Sequence, residues 1–145
     1  MVSQINSSST ITIENISEPT LLQYFEALNA ADFAATAALF ATEGELHPPF
    51  EEAIIGPDAI ASYLEAEAQG LVLRPKTGET LSRDDGGLEA QITGKASTSL
   101  FTVNVAWQFI LNPQTEITYA RIKLLASPQE LLSLREKREN RGSGK

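Results

Sequence analysis

The stretch that decides the fold is Leu100-Phe-Thr-Val-Asn-Val-Ala-Trp-Gln-Phe-Ile110, which contains the single tryptophan of the chain. Its apolar side chains recur at every second position, as a half-buried strand requires. One face of the predicted strand then carries Phe101, Val103, Val105, Trp107 and Phe109. An indole in such a row either fills a core or provides a directional donor inside an apolar cavity.

The segments around this strand predict an antiparallel meander preceded by helices. Period-two strands are predicted at residues 71–75, 88–96, 100–111 and 116–125, with turns at Asp84-Asp-Gly-Gly87 and Asn112-Pro-Gln-Thr115. Helices are predicted at residues 17–29, 31–41, 57–70 and 127–140, the first capped by Ser17. Residues 44–49 and 51–55 are predicted to be extended, and residues 10–13 to form a lead-in strand or an arm. This order predicts an α+β domain in which helices cover the concave side of one curved sheet.

Composition excludes several classes of function. With 145 residues, 42% of them hydrophobic, the chain is long enough for one domain with a real core. It has no cysteine, which excludes disulfides, thiolate metal sites and a cysteine nucleophile. We expect a cytoplasmic protein, because the sequence contains neither a signal-peptide pattern nor an apolar run of membrane-spanning length.

The charges are unevenly distributed along the chain. The net charge is −8, and no lysine or arginine precedes Arg74. Such a division predicts an acidic side and a mildly basic side that would steer encounters with a partner or a second copy. The sequence is locally basic only at residues 135–145, where both signs alternate, so we expect no nucleic-acid partner.

The sequence contains no recognisable catalytic or metal motif. His47, the single histidine, lies between Leu46 and two prolines, and neither Ser62 nor Ser99 belongs to a nucleophile motif. The acidic residues between 43 and 58 flank loops, where paired carboxylates face water more often than they perform acid–base chemistry. We therefore expect His47 to be structural or surface-exposed, and we expect no metal site and no catalytic residue.

Two aromatic donors could instead define a binding site. Tyr24 and Leu28 lie four residues apart on the first predicted helix, so they share a face, and Trp107 lies on the long strand. If the Tyr24 hydroxyl and the Trp107 indole N–H reach one apolar pocket, they would hold a carbonyl at the end of an apolar ligand.

Several segments resemble the C-terminal domain of the cyanobacterial orange carotenoid protein family. The matching segments are Glu18-Pro-Thr20, Tyr24-Phe-Glu-Ala-Leu-Asn-Ala30, Asp32-Phe-Ala-Ala-Thr-Ala-Ala-Leu-Phe40, Leu46-His-Pro-Pro-Phe-Glu-Glu52, Val105-Ala-Trp-Gln-Phe109, Leu111-Asn-Pro113 and Leu124-Leu-Ala-Ser-Pro128. The resemblance implies a nuclear-transport-factor-2-like (NTF2-like) fold, whose curved antiparallel sheet and helices form a conical apolar cavity. It also implies a stand-alone carotenoid-binding domain at residues 17–140. From the residues themselves we expect a flexible arm at 1–16 and a disordered tail or expression scar at 141–145.

The resemblance also implies a ligand and its contacts. The family binds ketocarotenoids of the echinenone or canthaxanthin type, and its carbonyl-binding tyrosine and tryptophan match Tyr24 and Trp107. The matching apolar lining is Leu28, Val105, Ile122 and Leu124. A second family tryptophan, before the long strand, is replaced here by Leu100.

The implied function is a non-enzymatic carrier. It would transfer its pigment to helical-domain homologues or to the apo form of the orange carotenoid protein, and it would quench singlet oxygen in photoprotection. We expect a homodimer around one pigment, noncovalent because the cysteine of many stand-alone members is missing, and a transient membrane contact for pigment uptake. The alternatives are a ketosteroid-isomerase-like enzyme and a ligand-free dimerisation module.

Overall fold

The structure, a computed structural model, describes residues 11–125. Its helices are α1 (Pro19–Asn29), α2 (Phe33–Ala37) and α3 (Pro57–Glu67). Its strands are β1 (Phe40–His47), β2 (Ile54–Ile55), β3 (Val72–Ser82), β4 (Leu88–Ser97), β5 (Thr102–Leu111) and β6 (Ile117–Leu124). The predicted helix at residues 127–140 and the tail at 141–145 lie outside the described residues.

The six strands form one sheet in the order β2-β1-β6-β5-β4-β3. The predicted meander is confirmed, because β3, β4, β5 and β6 pair antiparallel in sequence order. The sheet is nevertheless mixed: β1 runs parallel to β6, with Leu46 opposite Ala120. This pairing joins strands that are far apart in the sequence, so no turn motif between them predicts it.

Alternation on β5 positions the core as predicted. Val105, Trp107 and Phe109 are buried, whereas the intervening residues are partly exposed. On α1, apolar residues at helical spacing turn toward the same side, and the buried ones are Leu21, Tyr24, Phe25 and Leu28. The core therefore lies between the helices and one face of the sheet.

The first helix begins slightly later than predicted. The cap is Glu18 rather than Ser17, because the Glu18 carboxylate accepts a hydrogen bond from the Thr20 backbone N–H at 3.2 Å. Pro19 occupies the first helical turn, where its missing N–H has no intrahelical partner to lose.

The second helix is shorter than predicted. It ends at Ala37, and Phe40 already belongs to β1, where it lies opposite Ile117. Alanine-rich composition favours continued helix, but the backbone hydrogen bond from Ile117 N–H to the Leu39 carbonyl draws the chain into the sheet.

The strand after α3 is longer than the predicted residues 71–75. Proline cannot donate to a ladder, so Pro75 would be expected to interrupt a strand. However, β3 is an edge strand, and a register shift between Pro75 and Thr77 accommodates the ring. At Gly94, opposite Pro75, a Cβ atom would lie 2.2 Å from the Arg74 carbonyl oxygen, so only glycine fits this approach.

The N-terminal arm adds to the same edge. The Glu14 N–H donates to the Lys76 carbonyl at 2.9 Å, and the Gly78 N–H donates to the Glu14 carbonyl at 3.0 Å. Within residues 11–125, no helix is long and apolar enough to cross a membrane.

Candidate binding cavity

A largely apolar cavity of about 440 Å³ lies between the helices and the sheet. All six residues selected from the sequence line it: Tyr24, Leu28, Val105, Trp107, Ile122 and Leu124. The volume falls within the range of about 300–1,000 Å³ that is usual for small-molecule sites. Helix α1 and strands β5 and β6 thus bring the predicted residues around one space.

Tyr24 is held by its helix and by aromatic neighbours. Its side chain is 2% exposed, and its ring meets the rings of Phe25 and Phe109 edge-on at centroid distances of 5.2 and 5.0 Å. Burial raises the pKa of the Tyr24 hydroxyl well above its usual value, and the nearby Tyr63 hydroxyl adds to the shift. Tyr24 therefore remains a neutral donor at physiological pH.

Trp107 is held from two directions. Its ring meets that of Phe25 at 4.9 Å with an interplanar angle of 85°, and its strand neighbours are Ile92 and Ile122. Phe25 therefore contacts both aromatic donors, which fixes them relative to each other. Tyr24 and Trp107 thus belong to the packed core and also carry the two candidate donors.

Neither donor has a protein acceptor within the described part of the chain. No hydrogen bond there involves the Tyr24 hydroxyl or the Trp107 indole N–H. The fully enclosed, unpaired side-chain polar atoms in that part are instead Glu26 Oε2 and Arg83 Nε. Because buried polar groups are normally paired, two unpaired donors on side chains that line one apolar cavity are suited to a ligand with an acceptor oxygen.

The rest of the predicted lining is apolar and comes from the sheet and α1. Ile122 lies opposite Trp107, and Leu124 lies opposite Val105, so β5 and β6 form one continuous wall. Leu28 adds to the helix side one turn beyond Tyr24. Such a wall offers burial but no further directional contact.

The mouth of the cavity contains residues that the sequence analysis did not select. The Tyr63 hydroxyl lies 3.4 Å from Glu51 Oε2, and Glu67 also lines this side. Burial, followed by the charges of Glu51 and Glu67 and the hydrogen bond with Glu51, raises the pKa of Tyr63 to about 12. Helical spacing in the sequence indicates that Tyr63 lies on the apolar face of α3. Its contact with Glu51 is seen only in the folded structure.

Two further lining residues were detectable in the sequence. Phe101 and Val103 lie on the same face of the strand as Trp107, and both line the cavity. Thr98, in the connection that precedes this strand, lines the cavity as well.

His47 lies outside the cavity, in an adjoining cleft. Its Nε2 is 2.8 Å from Glu45 Oε1, and its ring is 4.7 Å from the Tyr119 ring. No group of three histidine, cysteine or acidic residues between 11 and 125 is arranged to hold a metal ion. The structure thus gives His47 a carboxylate and a phenol as neighbours, rather than a serine.

Comparison with known proteins supports the fold. A sequence profile of the SnoaL-like domain matches residues 21–86. The orange carotenoid-binding protein of Limnospira maxima is 38% identical over 135 residues, which cover 90% of this chain and 43% of that protein. This chain thus spans less than half the length of that relative.

Two solved structures resemble the chain. The orange carotenoid protein of Anabaena (Nostoc) sp. PCC 7120, solved binding canthaxanthin, is 43% identical, with a TM-score of 0.77 over 85% of this chain and 40% of that one. An NTF2-like protein of unknown function from Cytophaga hutchinsonii is 13% identical, with a TM-score of 0.61 over 84% of this chain and 99% of that one. The second similarity concerns the fold alone, and it identifies the architecture as NTF2-like.

Proposed function

Because the chain is a homologue of the orange carotenoid-binding proteins, we propose that it binds a ketocarotenoid in the cavity and makes and breaks no bonds. The pigment would be of the echinenone or canthaxanthin type, with its carbonyl oxygen between the Tyr24 hydroxyl and the Trp107 indole N–H. The observation that carries this proposal is that both donors lack a partner within residues 11–125 and line one apolar cavity.

Burial and hydrogen bonding have different roles in this proposal. Removing roughly 400 Å² of polyene from water at about 25 cal/mol per Å² favours binding by on the order of 10 kcal/mol before association costs. Two hydrogen bonds add only about 1–3 kcal/mol. The hydrophobic effect therefore supplies the affinity, and the two donors decide which end of the pigment enters.

A pigment held at one end extends beyond the mouth. A second copy would cover the exposed half, so we propose a symmetric, noncovalent homodimer around one pigment. From this state the protein would transfer the pigment to helical-domain homologues or to apo orange carotenoid protein, and the bound polyene would quench singlet oxygen. We place these steps in the cytoplasm, with a transient membrane contact for pigment uptake.

The enzymatic alternative is less well supported. A ketosteroid-isomerase-like reaction needs a carboxylate base inside the cavity, facing Tyr24. The carboxylates that line the cavity, Glu51 and Glu67, are exposed at its mouth, and Glu51 already accepts from Tyr63. Glu26 has an enclosed oxygen, but it does not line the cavity.

Coexpression with a ketocarotenoid pathway tests the proposal. We expect the purified protein to be coloured, to contain the ketocarotenoid, and to leave a steroid enone unchanged. A colourless protein that isomerises the enone would support the enzyme, and a colourless, inactive dimer would support a ligand-free dimerisation module.

A further inference from the structure

The end of the sheet beside the cavity mouth exposes an unusual number of apolar side chains. Leu100 is 85% exposed and Phe101 is 47% exposed, both at the β4–β5 connection. Val72 begins β3 and Leu125 directly follows β6, and both are exposed, so four of the seven large exposed apolar residues of the described chain lie at this end of the sheet. Clustering of this kind marks an interaction site rather than ordinary surface.

Positive charge accompanies these apolar residues. Arg74 lies opposite Lys95 across β3 and β4, and Lys95 lies opposite Asn104, which places all three on the outer face of the sheet. Lys76 and Leu125 line the same shallow cleft. Lys123, opposite Ala106, adds a fourth exposed cation to that face.

Acidic residues are missing from the β4–β5 part of this region. No aspartate or glutamate occurs between Glu89 and Glu116, although the chain carries 19 acidic residues. The side-chain partners of Arg74 and Lys95 are the neutral Ser97 and Asn104, and none of the four cations pairs with a carboxylate in the described part of the chain. Acidic residues do approach the two outer cations: Glu14 lies beside Lys76, and Glu51 and Glu52 share a cleft with Lys123.

We propose that this hairpin-end patch, formed by Val72, Leu100, Phe101, Leu125 and the four cations Arg74, Lys76, Lys95 and Lys123, docks on an anionic lipid bilayer. Leu100 and Phe101 insert at the headgroup level, while the cations contact lipid phosphates. Arg74 and Lys95 provide the main charge contacts, because their side-chain partners are neutral, whereas Lys76 and Lys123 have acidic residues nearby. Phe101 also lines the cavity, so a pigment leaving the bilayer reaches apolar protein surface without crossing water. The role of docking in pigment uptake rests on the proposed function, whereas the contacts between the patch and the bilayer do not.

Sedimentation of the full-length apoprotein with lipid vesicles tests the patch. Wild type should bind vesicles of equimolar phosphatidylcholine and phosphatidylglycerol at least tenfold more tightly than pure phosphatidylcholine vesicles. Leu100→Asp should abolish the preference without loss of folding, because Leu100 is 85% exposed and does not line the cavity. The matched control is Leu81→Asp, at the far end of β3 and 66% exposed, which should bind as wild type does.

A second pair of variants tests the charges separately. Lys95→Gln should lower the affinity for anionic vesicles about fivefold, because each basic residue near such a surface contributes roughly that factor. Gln91→Glu changes the net charge by the same amount on the same face. It lies four residues farther from the connection, about 13 Å away, beyond the Debye length of about 8 Å, so its effect should be smaller than twofold.

Three results would contradict the proposed docking. The first is equal binding of wild type to both kinds of vesicle, and the second is an equal loss of vesicle affinity in a patch variant and its matched control. The third is a Leu100→Asp protein that no longer dimerises but keeps its vesicle affinity. The third result would assign the β4–β5 connection to a second copy. If the protein takes up pigment from detergent but does not bind vesicles, the docking proposal is refuted and the proposed function is unaffected. If the protein binds vesicles but takes up no pigment, the proposed function is refuted and the docking proposal is unaffected.

Discussion

Tyr24 and Trp107 differ from the other buried aromatic residues of the described chain because each combines a polar donor with a place in the cavity lining. A core tyrosine or tryptophan normally satisfies its donor within the protein. Here Phe25 and Phe109 surround Tyr24, and Phe25 and two isoleucines surround Trp107, so within the described chain neither donor finds an acceptor. A carbonyl oxygen between them would satisfy both.

Replacing both donors should weaken retention of the pigment. Tyr24→Phe with Trp107→Phe removes two hydrogen bonds of about 0.5–1.5 kcal/mol each, which corresponds to roughly 5- to 150-fold faster release. Release is measured as loss of pigment absorbance during transfer to a hydrophobic acceptor. Tyr119→Phe, at the His47 ring and outside the cavity, is the control and should release pigment at the wild-type rate. Equal rates of pigment release from wild type, the double variant and Tyr119→Phe would contradict a role of the two donors in pigment binding.

Stability should fall at alkaline pH because two tyrosines have raised pKa values. In the folded protein the pKa of Tyr63 is about 12 and that of Tyr24 is also raised, so the native state holds its protons more tightly than the unfolded chain does. The stabilisation is complete below the unfolded pKa of about 10 and is lost as pH rises through the folded values.

Urea unfolding measured between pH 8 and pH 11 tests this sign. We expect the free energy of unfolding of wild type to decrease above about pH 10. In Tyr24→Phe with Tyr63→Phe the decrease should be smaller. A double variant with the same pH dependence as wild type would show that these two hydroxyls do not titrate as described.

At the scale of elements, Asn29 fixes the helix that carries Tyr24. Its side-chain Nδ2 donates to the Leu73 carbonyl at 2.8 Å, and its Oδ1 accepts from the Leu73 N–H at 2.7 Å. The amide thus replaces a neighbouring strand at the start of β3, and Leu73 lines the cavity. These two hydrogen bonds therefore hold the end of helix α1 against strand β3 beside the cavity.

Asn29→Ala should destabilise the protein by about 1–3 kcal/mol, because it leaves both Leu73 backbone groups without their partners. Urea unfolding measures the change, and Gln23→Ala, an exposed position on the same helix, is the control. The variant should also release pigment faster. A change of less than half a kcal/mol would mean that water replaces the amide without loss.

The elements that the sequence predicted well are those with a local signal. The alternation on β5, the Asp84 to Gly87 turn and the apolar face of α1 all follow from neighbouring residues. The end of α2 and the parallel pairing of β1 with β6 depend on Ile117 and Ala120, which arrive much later in the chain. Long-range pairing overrides local propensity at both places.

At the scale of the whole molecule, the fold brings residues from separate segments of the chain together around one cavity. Residue types and spacing were sufficient to select Tyr24 and Trp107 as candidate donors, whereas the apolar wall was selected by the resemblance to the orange carotenoid protein family. The rim could not be predicted, because Glu51, Tyr63 and Thr98 come from separate loops and helices that meet only in the folded chain.

The stoichiometry should be two chains to one pigment. A pigment anchored in one cavity exposes its other half, and covering that half by a second copy removes apolar surface from water. Native mass spectrometry of the coloured fraction should give this ratio, with the apoprotein less dimeric at the same concentration. A coloured monomer would show that one chain covers the pigment alone.

The central claim is that the carbonyl of a ketocarotenoid lies between Tyr24 and Trp107. A crystal structure of the pigment-loaded protein measures the distances from the carbonyl oxygen to Tyr24 Oη and Trp107 Nε1. We predict that both fall at hydrogen-bond length, about 2.6–3.2 Å. A pigment outside the cavity, or one whose carbonyl lies beyond hydrogen-bond reach of both side chains, would contradict the account.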